Sequence, residues 1–420
     1  MLALIDRKIF SNSFWMISEK IISLFGLVLV NAYVAKYLGP SNYGKIALVI
    51  SIFSLVQTFV WFGNQEVLFK RVSQNQISGL KYLLGTQKIR RLICTLITLP
   101  ILVWLYSFSD FLTFCYGAAV ALSTFFIIQD IFVVYNNAIL KSQLNVYSNI
   151  LMLVLVLIIR YLIVKEKLSP YFFCLPLALI GVLPYILKKV WFNKREITLK
   201  NISLKDKKYQ KYYLKVGSIL VISSISVGLY TQINNLLLGK MISTYELGLY
   251  SVATTLGVTW TFINQSIITS YMTKIYKENN RLKVYKMLGY LNILIILISL
   301  FYFSLFYFFG EKIINILYGA EYLKSFNALL IVIFSSMLSS LGIVIAKFMI
   351  KDGGYTFLSK KTVLVTLFSI PLSCGLIYYH GLIGAAWSMF IIEFLSLTLF
   401  NYFYKKGLVF KIQFFIGDKV

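Results

Sequence analysis

Apolar residues in this chain form long continuous runs that are separated by short polar segments. A helix that crosses a membrane needs about 20 mostly apolar residues. Twelve stretches fit this description, of which the third and the eleventh are short, and they predict an all-α integral membrane protein. The stretches are 11–37, 43–65, 92–108, 111–135, 144–164, 169–191, 213–238, 246–272, 287–309, 325–349, 362–379 and 382–404.

Composition supports this interpretation and excludes several other classes. Hydrophobic residues make up 59% of the 420 positions and charged residues 13%, against roughly 25% charged residues in soluble domains. A disordered chain would be far less hydrophobic, and four cysteines are too few for a secreted disulfide scaffold. The net charge of +26 does not indicate a nucleic-acid binder, because the basic residues lie between apolar runs and not on a separate domain.

The distribution of the 41 Lys and Arg residues predicts the topology. When the loops are assigned alternately to the two sides, one set together with both termini holds 30 of them and the other set holds 7. Cytoplasmic loops carry the excess of Lys and Arg in membrane proteins. We therefore expect both termini, and the basic central segment, to be cytoplasmic in a multi-pass membrane protein.

The central basic segment divides the chain into two sets of six predicted spans. We expect a six-helix bundle at 1–192, a linker at 193–211, and a second six-helix bundle with a short tail at 212–420. Similar turns support an internal repeat, since Gly39 and Gly44 match Gly239 and Gly248. Six spans per half give both halves the same orientation, which predicts a pseudo-two-fold axis along the membrane normal.

Ionisable residues inside the predicted spans are candidates for a functional site, because a charge within a bilayer is costly. Glu393 lies near the middle of the last span, whereas Glu19 and Lys20 lie deep in the first. Arg160 and Asp130 lie nearer to span ends, where Arg160 could also reach the interface. Polar residues on the equivalent spans one, two, seven and eight predict a cleft wall, although they could also be contacts between packed helices. The candidates for this wall are Asn31, Gln57, Gln232, Asn235, Asn264 and Gln265.

Six segments resemble, in order along the chain, the Wzx-type O-antigen and polysaccharide flippases. These flippases form the polysaccharide branch of the multidrug/oligosaccharidyl-lipid/polysaccharide exporter superfamily. Lys36 departs from the pattern, because many relatives have Arg there, and the turn of the second half is longer. The segments are YLGPSNYGKIAL (37–48), WFGNQEVLFKRVS (61–73), AILKSQLNVYS (138–148), NNLLLGKMISTYELGLYSVATTL (234–256), ILYGAEYLKS (316–325) and GLIGAAWSMFIIEF (381–394).

The resemblance implies a flippase that moves undecaprenyl-pyrophosphate-linked oligosaccharide, for O-antigen or capsule, from the cytoplasmic to the outer leaflet. Alternating access, with coupling to an ion gradient, is the mechanism that it implies. On this basis we expect Lys20 and Arg160 to contact the anionic head group. Glu19, Glu393 and Asp130 are candidates for coupling, because a carboxyl group in a low-dielectric cleft can carry a proton.

The expected partners are the lipid-linked substrate, membrane lipids, a monovalent cation or proton, and a polysaccharide polymerase or chain-length regulator. No catalytic residue, cofactor, metal site or nucleic-acid partner is predicted. A cation-coupled multidrug antiporter of the same superfamily remains an alternative, although it would favour an acidic pocket over deep Lys and Arg. A membrane polymerase or acyltransferase is a further alternative, but a polymerase is expected to have a long external loop.

Overall fold

The computed structural model describes residues 7–61, 65–139, 141–195 and 206–413, and the side chains of residues 7–25 fall outside this description. Every regular element in the described ranges is a helix. The all-α fold class predicted from the apolar runs is therefore confirmed.

The chain forms two compact units. Unit 1 comprises Met1–Leu38 and Leu48–Gly228, and unit 2 comprises Gly39–Ala47 and Leu229–Val420. The domain boundaries expected from the sequence, at 192 and 212, stay a prediction. Most of α1 and the first part of α9 belong to unit 1, together with all the helices between them. The helices up to that point are α1 (Arg7–Trp61), α2 (Gln65–Gln74), α3 (Gln76–Gly85), α4 (Gln87–Phe108), α5 (Phe111–Gln129), α6 (Phe132–Ala138), α7 (Gln143–Lys165), α8 (Cys174–Arg195) and α9 (Asp206–Leu237).

Unit 2 contains the remaining helices. A short π-helical turn, Leu238–Ile242, follows α9. The helices after it are α10 (Thr244–Thr259), α11 (Thr261–Lys277), α12 (Arg281–Leu317), α13 (Phe326–Lys351), α14 (Tyr355–Leu397), α15 (Leu399–Tyr402) and α16 (Leu408–Gln413).

Eight helical segments of the described residues are long and apolar enough to cross a membrane, so the protein is a multi-pass membrane protein. The predicted stretches 213–238 and 246–272 fall on α9 to α11, outside these eight segments; α10 and α11 are only 16 and 17 residues long. The count of twelve spans stays a prediction. The eight segments are Val28–Trp61, Gln76–Phe108, Phe111–Ala138, Gln143–Lys165, Pro170–Phe192, Arg281–Leu317, Ala320–Lys351 and Thr356–Tyr402.

Two of these segments contain a break in the helix. Gly39 in α1 has φ 69° and ψ 168°, and Gly381 in α14 has φ 52° and ψ −127°. Positive φ is accessible to glycine because it has no Cβ. Each break coincides with a boundary between two stretches that the apolar pattern separates, at 37–43 and at 379–382.

Within unit 2, the part of α1 that follows the break at Gly39 comes into backbone contact with the start of α10. A Cβ added to Gly44 would lie 1.7 Å from the Thr244 carbonyl oxygen, and one added to Gly248 would lie 1.9 Å from that of Pro40. The Ser41 and Thr244 hydroxyl oxygens are 3.3 Å apart at the same place. The two glycines that the sequence repeat matches therefore permit one reciprocal contact.

Candidate functional site

Arg160 is a predicted head-group contact, and it lies in the interior of unit 1. Its side chain is only 7% exposed on α7. The guanidinium Nη1 donates a 2.7 Å hydrogen bond to Oδ1 of Asn31 on α1. The structure thus joins a predicted cation to a predicted cleft amide across 129 residues of sequence.

Asp130, a predicted coupling residue, forms a buried ion pair. Its Oδ2 lies 2.8 Å from the Lys188 Nζ, and both side chains are less than 10% exposed. The other oxygen, Oδ1, accepts the backbone N–H of Phe132, where α6 begins after α5. Lys188 belongs to α8 and is buried near the end of the predicted stretch 169–191, where the sequence pattern does not select it as a site residue.

A cavity of about 240 Å³ lies beside this ion pair within unit 1. Asp130 and Lys188 form part of its wall, together with Gln57 and Asn149. Trp61 and the apolar residues Ile127, Val133, Val134, Ile180 and Pro184 line the rest, with Gly181 between the last two. The arrangement provides charged, amide and apolar surfaces around one space. Of the predicted cleft residues, Gln57 lies on this wall.

Glu393 lies in unit 2 and is 8% exposed on α14. The Tyr230 hydroxyl group on α9 donates a hydrogen bond to its Oε1, and the Ser339 hydroxyl group on α13 also bonds to it. Lys361 is close enough to act on Glu393 electrostatically, and its Nζ donates to Oδ1 of Asn401 at 2.8 Å. The predicted residue is the centre of a polar cluster whose other members the sequence interpretation did not select.

The remaining predicted residues have separate environments. Gln232 and Asn235 are half-buried, and the Asn235 Nδ2 donates to the Gln232 Oε1 at 3.2 Å. Asn264 is fully buried, and its amide atoms have no hydrogen-bond partner among the described residues. Gln265 is exposed. The side chains of Glu19 and Lys20 lie outside the described part. That these residues line one cleft stays a prediction.

Arg90 is a buried cation that the sequence interpretation missed, because it lies beside Arg91 near the start of a span. It is completely buried on α4. Its two terminal nitrogens donate to the carbonyl oxygens of Leu83 and Ile128, at 3.1 and 3.0 Å, and its guanidinium lies 4.9 Å from the Trp61 ring centre. Both carbonyls belong to the last turns of helices, α3 and α5, where a cation is favourable. Arg90 therefore stabilises unit 1 and is not a loop charge.

Outside the spans, the ionisable groups pair at the surface of unit 2. The Lys405 Nζ lies 2.6 Å from the Asp352 carboxylate, and the hydrogen bond to this carboxylate raises the pKa of Lys405. Burial raises the pKa of Tyr404, whose hydroxyl group donates to the same carboxylate at 3.0 Å. The pKa of Glu278 is lowered because its carboxylate accepts the Asn280 backbone N–H at 2.9 Å.

No group of three or more His, Cys, Asp or Glu side chains is arranged to hold a metal ion in the described ranges. The four cysteines are free thiols.

Two solved transporter structures share this fold across nearly the whole chain. The lipid II flippase MurJ, in an inward closed conformation, aligns with a TM-score of 0.71 at 16% identity, covering 96% of this chain and 90% of that one. An inward-facing multidrug resistance MATE family transporter of the MOP superfamily aligns with a TM-score of 0.67 at 17% identity, covering 95% and 96%. At these identities the likeness concerns the fold.

Sequence comparison identifies the family. The capsular polysaccharide biosynthesis protein CapF of Staphylococcus aureus is 29% identical over 191 residues, which are 44% of this chain and 48% of that relative, so the match spans about half the length of the relative. Residues 9–274 match the family described as polysaccharide biosynthesis protein. This match confirms the resemblance drawn from the six segments. The chain belongs to the polysaccharide biosynthesis protein family, with the fold of MurJ and MATE transporters.

Proposed function

We propose that this protein is a flippase that moves undecaprenyl-pyrophosphate-linked oligosaccharide repeat units, for O-antigen or capsule, from the cytoplasmic to the outer leaflet of the bacterial inner membrane. The observation that carries the proposal is Arg160, a cation buried with Asn31 inside a membrane segment of a chain from the polysaccharide biosynthesis family. Ionisable residues inside membrane segments mark pathways for substrates and ions.

The proposed architecture has twelve spans in two six-helix bundles related by a pseudo-two-fold axis along the membrane normal, with both termini in the cytoplasm. The reciprocal contact of Gly44 with Thr244, and of Gly248 with Pro40, supports it. Such a contact is expected where an axis passes between two equivalent helix starts. The split of the loop charges supports the orientation.

In this mechanism Lys20 and Arg160 hold the pyrophosphate or an acidic sugar while the protein alternates between two accessible states. Glu19, Asp130 and Glu393 are the candidates for coupling to a proton or a monovalent cation. Glu393 fits this role because hydroxyl groups of Tyr230 and Ser339 hydrogen-bond its carboxyl group. These hydrogen-bond partners are neutral and the Lys361 ammonium acts on the carboxyl group only through space, so both the charged and the protonated form keep their hydrogen bonds. A polysaccharide polymerase would act on the product.

A multidrug antiporter is the second candidate, and the fold shared with a MATE family transporter favours it. An antiporter for organic cations would use acidic and aromatic side chains, whereas Arg160 would repel such a substrate. A polymerase or acyltransferase is a weaker candidate.

The decisive experiment locates the lipid-linked repeat unit in a strain that lacks the gene. A missing flippase leaves the unit on the cytoplasmic leaflet, whereas a missing polymerase leaves it on the outer leaflet. Complementation with Arg160→Met should restore little export, with Arg160→Lys as the control that keeps the charge. Accumulation on the outer leaflet, or normal surface polysaccharide in the deletion strain, would overturn the proposal.

A further inference from the structure

The cavity beside Asp130 and Lys188 is large enough to hold a solute. Its volume of about 240 Å³ corresponds to about eight molecules of liquid water at roughly 30 Å³ each. It is smaller than the pockets of about 300–1,000 Å³ that take drug-sized ligands. A ligand of one small ring fits this space better than a branched glycan.

The charges on the wall do not favour an anion. Asp130 and Lys188 neutralise one another at 2.8 Å, so a phosphate group that approached the ammonium would also meet the carboxylate. The other polar groups on the wall, the Gln57 and Asn149 amides and the Trp61 indole N–H, are neutral. The wall therefore offers both donors and acceptors and no net charge.

The rest of the wall is mainly apolar and is formed by Ile127, Val133, Val134 and Ile180 with the Trp61 ring. A sugar ring has hydroxyl groups at its edge and C–H groups on its faces. Its hydroxyl groups are both donors and acceptors, which matches carboxylate, ammonium and amide partners. An inorganic cation would need several oxygen ligands and would be repelled by Lys188.

We propose that this cavity of unit 1 binds one sugar ring of the oligosaccharide, separately from the residues that hold the pyrophosphate. The inference rests on the proposed flippase function and names the part of the substrate that this cavity recognises. Asp130 and Lys188 act as one hydrogen-bonding pair towards the sugar hydroxyls, and Gln57 and Asn149 complete the polar wall. Both charged residues lie near the span ends that the loop charges place in the cytoplasm, where the substrate is loaded.

The test uses the full chain in lipid nanodiscs, with the four native cysteines replaced and Asn149→Cys introduced. A small methanethiosulfonate reagent should modify this cysteine, because Asn149 is half-buried at the cavity wall. The probes are the monosaccharides released by acid hydrolysis of the host's surface polysaccharide, with inorganic pyrophosphate as the anionic comparison. A sugar present at about ten times its dissociation constant should slow modification about tenfold, whereas pyrophosphate should not.

Two controls separate protection by the ligand from unrelated effects. Tyr147→Cys lies on the same helix but is 44% exposed and outside the cavity wall, so it should react equally with and without sugar. Val134→Phe fills the cavity and should remove the protection of Asn149→Cys, whereas Val154→Phe on the exposed face of α7 should leave it unchanged. Equal thermal stability of the two phenylalanine variants excludes misfolding as the reason.

Three outcomes overturn the subsite: no sugar protects, pyrophosphate protects as strongly as sugar, or the cysteine does not react at all. None of these outcomes contradicts the flippase function, which the location of the accumulated repeat unit tests independently. Conversely, if a different protein exported the repeat units, the proposed flippase function would fail, while sugar binding to this chain would still be measurable.

Discussion

Two acidic side chains, one in each unit, are buried to the same degree but have different partners. Asp130 in unit 1 and Glu393 in unit 2 are 7% and 8% exposed. Asp130 is paired with a lysine ammonium and lies beside a cavity. Glu393 accepts hydrogen bonds from the hydroxyl groups of Tyr230 and Ser339, and Lys361 acts on it only through space, because the Lys361 Nζ bonds Asn401.

The difference separates two uses of a buried carboxyl group. A carboxylate in contact with a lysine ammonium is held in an ion pair, whereas hydroxyl partners can hydrogen-bond a carboxyl group in either protonation state because a hydroxyl group donates and accepts. We therefore infer that Asp130 acts mainly through its ion pair in the wall of the sugar site, and that Glu393 is the better candidate for proton coupling. The variants below test that distinction.

Lys188→Met should have the largest effect on stability. It leaves the Asp130 carboxylate buried without its ammonium partner, and breaking such a pair costs about 3–5 kcal/mol. The free energy of unfolding, or the melting temperature in detergent, measures this loss. The double variant Asp130→Asn/Lys188→Met removes both charges and should recover most of it. A double variant no more stable than the single one would show that the ion pair is not the cause.

The general architecture could be predicted because it depends on local pattern. Long apolar runs require helices in a bilayer, since every backbone polar group must be satisfied within the segment. Gly39 could be recognised as a helix boundary because it stands between two runs and before Pro40, where a new helix can begin. The glycines matched as a repeat, Gly44 and Gly248, lie in one reciprocal contact.

The candidate site could be predicted only in part, because its partners are distant in sequence. The depth of Arg160 in its span makes it a candidate, but does not predict its hydrogen bond to Asn31. Sequence alone does not select Lys188 or Lys361, because a lysine at a span end has the same local pattern whether it faces water or a buried carboxylate. Only the packing of α8 against α5 brings Lys188 to Asp130, 58 residues away.

Glu393→Gln should reduce export strongly with little loss of stability. The amide keeps a hydrogen-bond acceptor for Tyr230 but cannot release a proton. We expect the transport rate to fall at least about tenfold, the effect of about 1.4 kcal/mol on a barrier. Appearance of labelled repeat units on the outer leaflet of vesicles measures the rate. The comparison variant is Asp130→Asn/Lys188→Met. If the transport rates of both variants depended equally on the proton gradient, the two carboxyl groups would not differ in their role in coupling.

Tyr230→Phe should have a moderate effect. Removal of the hydroxyl group takes one hydrogen bond from Glu393, which costs about 1 kcal/mol. Tyr290→Phe on the exposed face of α12 is the matched control and should change nothing. Thermal unfolding of the purified Tyr230→Phe and Tyr290→Phe variants measures the change in stability of each. If the two variants were equally stable, Tyr230 would not support Glu393.

Lys405→Ala should have the smallest effect, although the Lys405–Asp352 pair has the same chemistry as the buried pair in unit 1. The two atoms are 2.6 Å apart, but the lysine side chain is 54% exposed, and water and salt screen such a pair. The hydrogen bond to Asp352 raises the pKa of Lys405. The stabilisation is therefore complete below the pKa of an unfolded lysine, about 10.4, and is lost as the pH rises through the folded value. At pH 8, the melting temperatures of the wild-type protein and of Lys405→Ala should differ slightly in low salt and converge in high salt. A large difference that persists in high salt would mean that exposure does not distinguish this pair from Asp130–Lys188.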